Sequence, residues 1–224
     1  MNDATPPSEI AIPPDRGGAV VIDIDAVVAN YRLYQELAGS VAVAAALKAD
    51  AYGLGIERVA PALADAGCQV FFVALPCEGI TLRRLVPGAH IVVLSGPEQA
   101  SAPVFVQHRL APALNSLTQI TEWQQVCTTS TDTEAAVLHL DTGMARLGLS
   151  ADEIERLVAD PSRLDGIRLQ CVLSHLACAD VPDHPMNARQ RSAFVAATDV
   201  LEAVTGKVPR SLANSSGAFL GPDY

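Results

Sequence analysis

The chain's 224 residues suffice for one domain with a large buried core, and half of them are hydrophobic while aromatics supply only 4%. Such a core has to be built from Ala, Val and Leu, as layered α/β packing allows. A formal net charge of −10 leaves no basic stripe for a nucleic-acid backbone, the longest apolar runs are too short for a bilayer, and five cysteines without a C-x-x-C pair argue against a disulfide framework.

Residues 1–17 are polar and proline-rich with no basic-then-apolar order, so they read as a disordered leader rather than a signal peptide. Residues 18–224 read as one domain. Short apolar runs of strand length follow at Val41–Leu47, Val70–Leu75, His90–Leu94, Leu110–Leu114, Ala136–Leu140, Ile167–Leu173 and Val208–Leu212. They lack clean alternation, as expected of parallel strands covered on both faces. Amphipathic stretches lie between most of them: Ile56–Ala66, Cys77–Leu85, Gln99–His108, Leu117–Cys127, Ala151–Ala159 and Pro185–Thr205. Ser150 with Glu153 three residues later forms a capping signature at the start of Ala151–Ala159. Repeated strand–loop–helix units predict a parallel α/β protein, and seven compact units fit a (β/α)8 TIM-type barrel lacking its eighth strand better than an open dinucleotide-binding sheet. No G-x-G-x-x-G follows the first strand.

In such a barrel the chemistry sits where strands end. Lys48 and Tyr52 follow the first strand, Arg146 the fifth, His175 the sixth, and Asn214-Ser215-Ser216-Gly217 the seventh. An amine at the edge of a dry core is expected to lose its proton readily and can form a Schiff base, although a strand-end lysine can equally snorkel to solvent. The serine-rich turn reads as the opening of a helix and as a phosphate cradle, or as a simple cap. Together the two features suggest pyridoxal phosphate. Arg146 can hold an anionic oxygen or lie on the surface, His175 can relay protons or be fixed in place, and Tyr52 can donate to phosphate or pack. His175, Cys178, Asp180, Asp183 and His184 include zinc-type ligands, but their spacing matches no closed site, so no metal is expected.

Four stretches carry a resemblance. V-A-A-A-L-K-A-D-A-Y-G-L-G (43–55), L-D-T-G-M-A-R-L-G-L (140–149), S-H-L-A-C-A-D (174–180) and L-A-N-S-S-G (212–217) resemble alanine racemases, in that family's order and near its spacing. The resemblance implies that Lys48 carries pyridoxal 5'-phosphate as an internal aldimine and serves as the base on the D-alanine side. It implies that Tyr52, Asn214 and Ser215 seat the phosphate, that Arg146 bonds the cofactor's phenolic oxygen, and that His175 supports the tyrosine acting as the opposite base. It further implies a cytoplasmic isomerase of alanine that supplies D-alanine for peptidoglycan and works as a homodimer with shared sites.

The sequence departs from the family's pattern at Leu54, where histidine is usual, at Ala145, where glycine is usual, and at His139, where many members carry a carbamylated lysine supporting the arginine. Arg146 therefore needs another support. The chain ends at Tyr224, where the family's eighth strand begins, and holds no β-rich C-terminal domain; the expectation is a fragment with little or no racemase activity of its own. A racemase of another small amino acid such as serine, a single-barrel pyridoxal-phosphate carrier, and a related barrel decarboxylase are the alternatives. The racemase-like stretches around Arg146 and Asn214 weigh against the carrier.

Overall fold

The computed structural model describes residues 17–98, 101–130 and 133–224. The expected leader, apart from Gly17, lies outside the described residues, as do Gln99 and Ala100 at the start of the expected helix Gln99–His108. The chain order is α1 (Ile24–Ala38), β1 (Ala45–Ala46), α2 (Ile56–Asp65), β2 (Val70–Val73), α3 (Pro76–Leu85), β3 (His90–Val93), α4 (Ala102–Gln107) and β4 (Ala111–Leu114). It continues with α5 (Leu117–Thr129), β5 (Ala136–His139), α6 (Ala151–Ala159), β6 (Leu169–Leu173), α7 (Pro185–Thr205) and β7 (Arg210–Ser211). All neighbouring strands run parallel in the order β1 to β7, so each expected strand is present and the sheet is a seven-stranded part of a barrel.

Two departures from the sequence expectations concern the first unit. The helix α1 was not anticipated, although its signals are present. Asp23 Oδ1 accepts from Ala26 N at 3.0 Å as an N-cap, and Ile24, Val27 and Tyr31 recur on one face to pack against the core. The expected strand Val41–Leu47 shortens to Ala45–Ala46, because β1 is an edge that pairs with β2 alone, and Val41, Ala42 and Ala44 are exposed. Residue Ala151 does open α6 with a full capping box: Glu153 N donates to Ser150 Oγ at 3.3 Å and Ser150 N to Glu153 Oε2 at 3.0 Å. The second oxygen of that carboxylate accepts from Leu117 N at 3.1 Å, tying the start of α6 to the start of α5.

Strand register separates two cores. Phe71, Val73, Ile91, Val93, Leu114 and Leu138 point outward under the helices, where Phe105 and Trp123 meet edge-on with centroids 6.0 Å apart. Val92, Ala111, Ala113, Val137 and Leu173 point inward and are buried, with the partly buried Val70, Phe72 and Cys171 packed against them. Following the inner face toward the strand ends, Ala46 lies level with Phe72, His139 level with Leu173, and Leu173 level with Ser211. The inner face is thus apolar in its middle layers and polar in its top layer, with His90, level with Val70, at the opposite end. Side chains alternate along a strand, so Asn115, two residues past Ala113, continues that inner face, whereas Leu47, with ψ of 23°, ends the extended stretch before Lys48. Beyond β7 the chain turns back onto α1, where Phe219 meets Tyr34 edge-on at 5.7 Å.

Candidate active site

Lys48 opens a turn, Lys48–Tyr52, whose backbone is left-handed. Ala49, Asp50 and Ala51 have φ of 51, 54 and 55° with ψ of 52, 49 and 45°, and Tyr52 has φ of 56°. Crowding between Cβ and the following carbonyl disfavours this conformation, so four such residues in a row cost on the order of 4 kcal/mol or more. The turn closes through Ala51 N to Leu47 O at 3.1 Å and Gly53 N to Ala49 O at 2.9 Å. Two carboxylates brace it. Asp50 Oδ1 accepts from Ile56 N at 2.7 Å, joining the turn to α2, and Glu78 Oε1 accepts from Ala49 N at 2.7 Å. The outcome is a half-buried Lys48 whose Nζ stands 5.8 Å from the centre of the exposed Tyr52 ring.

The loop after β5 presents Arg146. Asp141 Oδ1 accepts from Gly143 N at 2.9 Å and from Ala145 N at 3.0 Å, so this carboxylate is turned onto its own loop. Ala145 has φ of 55°, a left-handed position where glycine would be free of strain. Gly148 has no alternative: at φ 110° a Cβ would lie 2.6 Å from Leu140 C and Asp141 N, because the chain returns there to bridge Leu149 onto Leu140. Arg146 is exposed and has no hydrogen bond or ion pair among the described residues.

His139 is 5% exposed at the top of β5, and its Nδ1 lies 2.7 Å from Asn115 Oδ1. Asn115 Nδ2 donates to Leu94 O and Ala113 O, each at 3.0 Å, so Oδ1 must be the atom facing the imidazole. His139 therefore carries its proton on Nδ1, and Nε2 is left as an acceptor with no partner among the described residues. Burial, then His175 and Arg146 nearby, lower its pKa to about 4. His139 lines a small open cleft together with Asp141, Met144, Arg146, Ser174 and His175. Here stands the uncharged acceptor beside Arg146 where the sequence departure left its support unexplained.

His175, half-buried after β6, has its pKa lowered by burial and by the charges of Arg146 and Lys48. Lys48, Arg146 and His175 thus share one mouth. The loops beneath them are joined by the fully buried Gln190 of α7. Its Nε2 donates to His175 O at 2.9 Å and Thr142 Oγ1 at 3.3 Å, and its Oε1 accepts from Ala177 N at 2.8 Å. Thr142 Oγ1 and Ser174 Oγ lie 2.8 Å apart.

The serine-rich turn differs from its expectation. It opens a three-residue 3₁₀ turn, Gly217–Phe219, instead of a helix. Asn214 sits at the end of β7, but its amide is occupied: Nδ2 donates to Leu176 O at 3.1 Å and Oδ1 accepts from Gly217 N at 2.9 Å. Ser215 is exposed, and no hydrogen bond or ion pair among the described residues links Asn214 or Ser215 to Lys48, Tyr52 or Arg146. Of the zinc-type residues, His184 caps α7 through Met186 N at 3.2 Å, and no group of three His, Cys, Asp or Glu side chains converges among the described residues. Sequence reasoning missed Glu78, Asn115 and Gln190. Asn115 was within reach of it, since it prolongs the inner-face alternation of β4.

Residues 22–224 match the family model for the alanine racemase N-terminal domain. A catabolic alanine racemase of Mesorhizobium japonicum is 44% identical over 93% of this chain and 54% of its own length. The alanine racemase of Rhodospirillum rubrum is 43% identical over 94% and 56%. Among solved structures, the Bartonella henselae alanine racemase with covalently bound pyridoxal phosphate superposes with a TM-score of 0.84 at 37% identity, covering 91% of this chain and 58% of that one. The chain spans about half the length of the curated relatives it matches. A parallel barrel mouth ringed by Lys48, Arg146 and His175, matched from Ile22 to Tyr224, places the chain in the alanine racemase family as its N-terminal domain.

Proposed function

We propose that this chain holds pyridoxal phosphate through Lys48 and contributes one face of an alanine-racemising site. The observation that carries the reading is the shared mouth. The Lys48 amine, the Tyr52 phenol, the Arg146 guanidinium and the His175 imidazole collect above an apolar barrel interior, while Asp141, which lines the same cleft as Arg146 and His175, is bound to its own loop. In a chain of net charge −10, two cations without ion pairs among the described residues fit a ligand bearing a phosphate and a phenolate. The exposed hydroxyl of Ser215 supplies a further donor for phosphate oxygens.

When bound, the cofactor supplies an electron sink for the charge left behind as a proton leaves the substrate's α-carbon. Lys48 Nζ would hold the cofactor and, when free, would take that proton on one face and could return it. Arg146 orients an anionic oxygen, and the bare Nε2 of His139 lines the same cleft. His175, biased toward its neutral form, offers a ring nitrogen to a phenol or water at the mouth. Five unpaired cysteines support a reducing, cytoplasmic setting, and no described helix is long and apolar enough to cross a membrane. The reading extends to D-alanine supply for the cell wall and to a homodimer, as the resemblance to alanine racemases implies.

Lys207 is the only other lysine of the chain. Incubation with pyridoxal phosphate, borohydride fixation and peptide mass mapping should place the pyridoxyl group on Lys48. In a separate, unreduced sample with pyridoxal phosphate, solvent deuterium should enter the α-position of alanine faster than that of serine. No adduct, or one confined to Lys207, overturns the reading.

A further inference from the structure

Glu78 joins three backbone groups at the ends of two neighbouring strands. Its Oε1 accepts from Ala49 N at 2.7 Å, and its Oε2 accepts from Ala74 N at 2.7 Å and Leu75 N at 3.0 Å. Ala74 and Leu75 follow β2, the strand paired with β1, and Glu78 itself lies in the first turn of α3. The carboxylate is therefore held from below by β2 and α3 and reaches across to the loop above β1. The Ala49 N–H belongs to the peptide that joins Lys48 to Ala49. Fixing this group fixes ψ of Lys48, and with it the direction in which the left-handed turn leaves the strand. Asp50 secures the far end of the same turn on α2. Without an external acceptor, the strain at Ala49, Asp50, Ala51 and Tyr52 would favour a right-handed or extended path, either of which re-aims the lysine.

We propose that Glu78 is a positioning residue for Lys48, locking the left-handed turn that aims the amine into the barrel mouth. The proposal rests on the reading of Lys48 as the cofactor-bearing residue, and two separate readouts tell their failures apart. The first is amide hydrogen exchange in peptides covering residues 49–55, which needs no cofactor. The second is the rate at which pyridoxal phosphate becomes fixable on Lys48 by borohydride.

Three variants are compared with the unaltered chain. Glu78→Ala removes the acceptor, and Glu78→Gln keeps the shape but offers an amide that can serve only one side of the clamp. Glu153→Ala removes a carboxylate that likewise joins two loops, through Ser150 N and Leu117 N, but away from Lys48. Glu78→Ala and Glu78→Gln should both speed exchange at residues 49–55, by about tenfold or more for the alanine, as loss of a hydrogen bond to a charged group implies. They should slow fixation on Lys48 by a similar factor. Glu153→Ala should leave both readouts within about twofold of the unaltered chain. Adding Ala49→Gly to Glu78→Ala should recover part of the lost fixation rate, because glycine takes φ of 51° without strain. Circular dichroism checks that each chain is folded; should Glu78→Ala fail to fold, Glu78→Gln carries the comparison. Exchange at residues 49–55 that is unchanged in the folded Glu78 variants overturns the proposal, as does equal slowing by Glu153→Ala. An unaltered chain that never acquires the pyridoxyl group at Lys48 overturns the cofactor reading, while faster exchange in the same Glu78 variants would still establish the clamp.

Discussion

Lowering the pH from 7 to 5 should destabilise this domain through His139, by an amount the structure allows one to work out. The imidazole is 5% exposed, its Nδ1–H is committed to Asn115, and its pKa is lowered to about 4, by burial first and by His175 and Arg146 next, with Asp141 acting the other way. In the unfolded chain it titrates near the ordinary value of about 6.5. Between these two values the unfolded state binds more protons than the native state, so stability is present above the higher value and drains away as the pH falls toward the lower one. A full shift of about 2.5 units corresponds to about 3 kcal/mol, of which about 2 kcal/mol is lost between pH 7 and pH 5. Urea unfolding at the two pH values measures it. His139→Gln keeps a donor for Asn115 Oδ1 but cannot titrate, so the variant should lose about 2 kcal/mol less than the unaltered chain over the same interval. The other lowered histidines, His90 and His175, contribute alike to both chains and cancel in the comparison. Equal acid losses in the two proteins would refute the argument that a buried neutral imidazole stands here.

Two further outcomes follow from the loops around the mouth. Ala145→Gly should stabilise the domain by about 1 kcal/mol, since φ of 55° strains alanine and not glycine, with the greater freedom of glycine in the unfolded chain taking back part of the gain; a lower urea midpoint would contradict it. Gln190→Leu should cost about 1–2 kcal/mol, because it strands the part-buried Ala177 N–H and His175 carbonyl that the amide serves, and it should raise amide exchange in the loops after β5 and β6 together; an effect confined to α7 would refute its role as a tie between them.

How much of this was legible in the sequence depends on how local the cause is. The run Ala136–His139 is a strand wherever it is placed, and Ser150 with Glu153 starts a helix by itself, so these elements could be read directly. The brevity of β1 could not, because it depends on having one neighbour instead of two. The left-handed turn after Lys48 is legible only in part: Gly53 and Gly55 mark a turn, but of Ala49-Asp50-Ala51-Tyr52 only Asp50 is of a type that tolerates positive φ, and the acceptor that holds it, Glu78, is 29 residues from its donor. Asn214 has structural partners that its sequence position does not display. A polar residue in a strand-end turn reads as a ligand contact, yet its amide is consumed by Leu176 and Gly217.

A single geometric rule accounts for which strand-end residues meet. In a parallel barrel the inner face repeats every second residue, so Phe72, Val92, Val137 and Leu173 fill the interior while Asn115, His139 and His175 extend the same rows past its top. Each of those polar side chains follows an apolar inner neighbour two residues earlier on its own strand. Apolar depth and polar rim are therefore consequences of one alternation, and the low dielectric beneath the rim is what lowers the pKa of His139 and His175. Shifting any one of these strands by a single residue would turn its rim residue outward under the helices. The chemistry at the mouth thus depends on strand register as much as on which residues are present, and the carboxylates of Glu78 and Asp50 act at the place where the alternation ends and the chain must be aimed by other means.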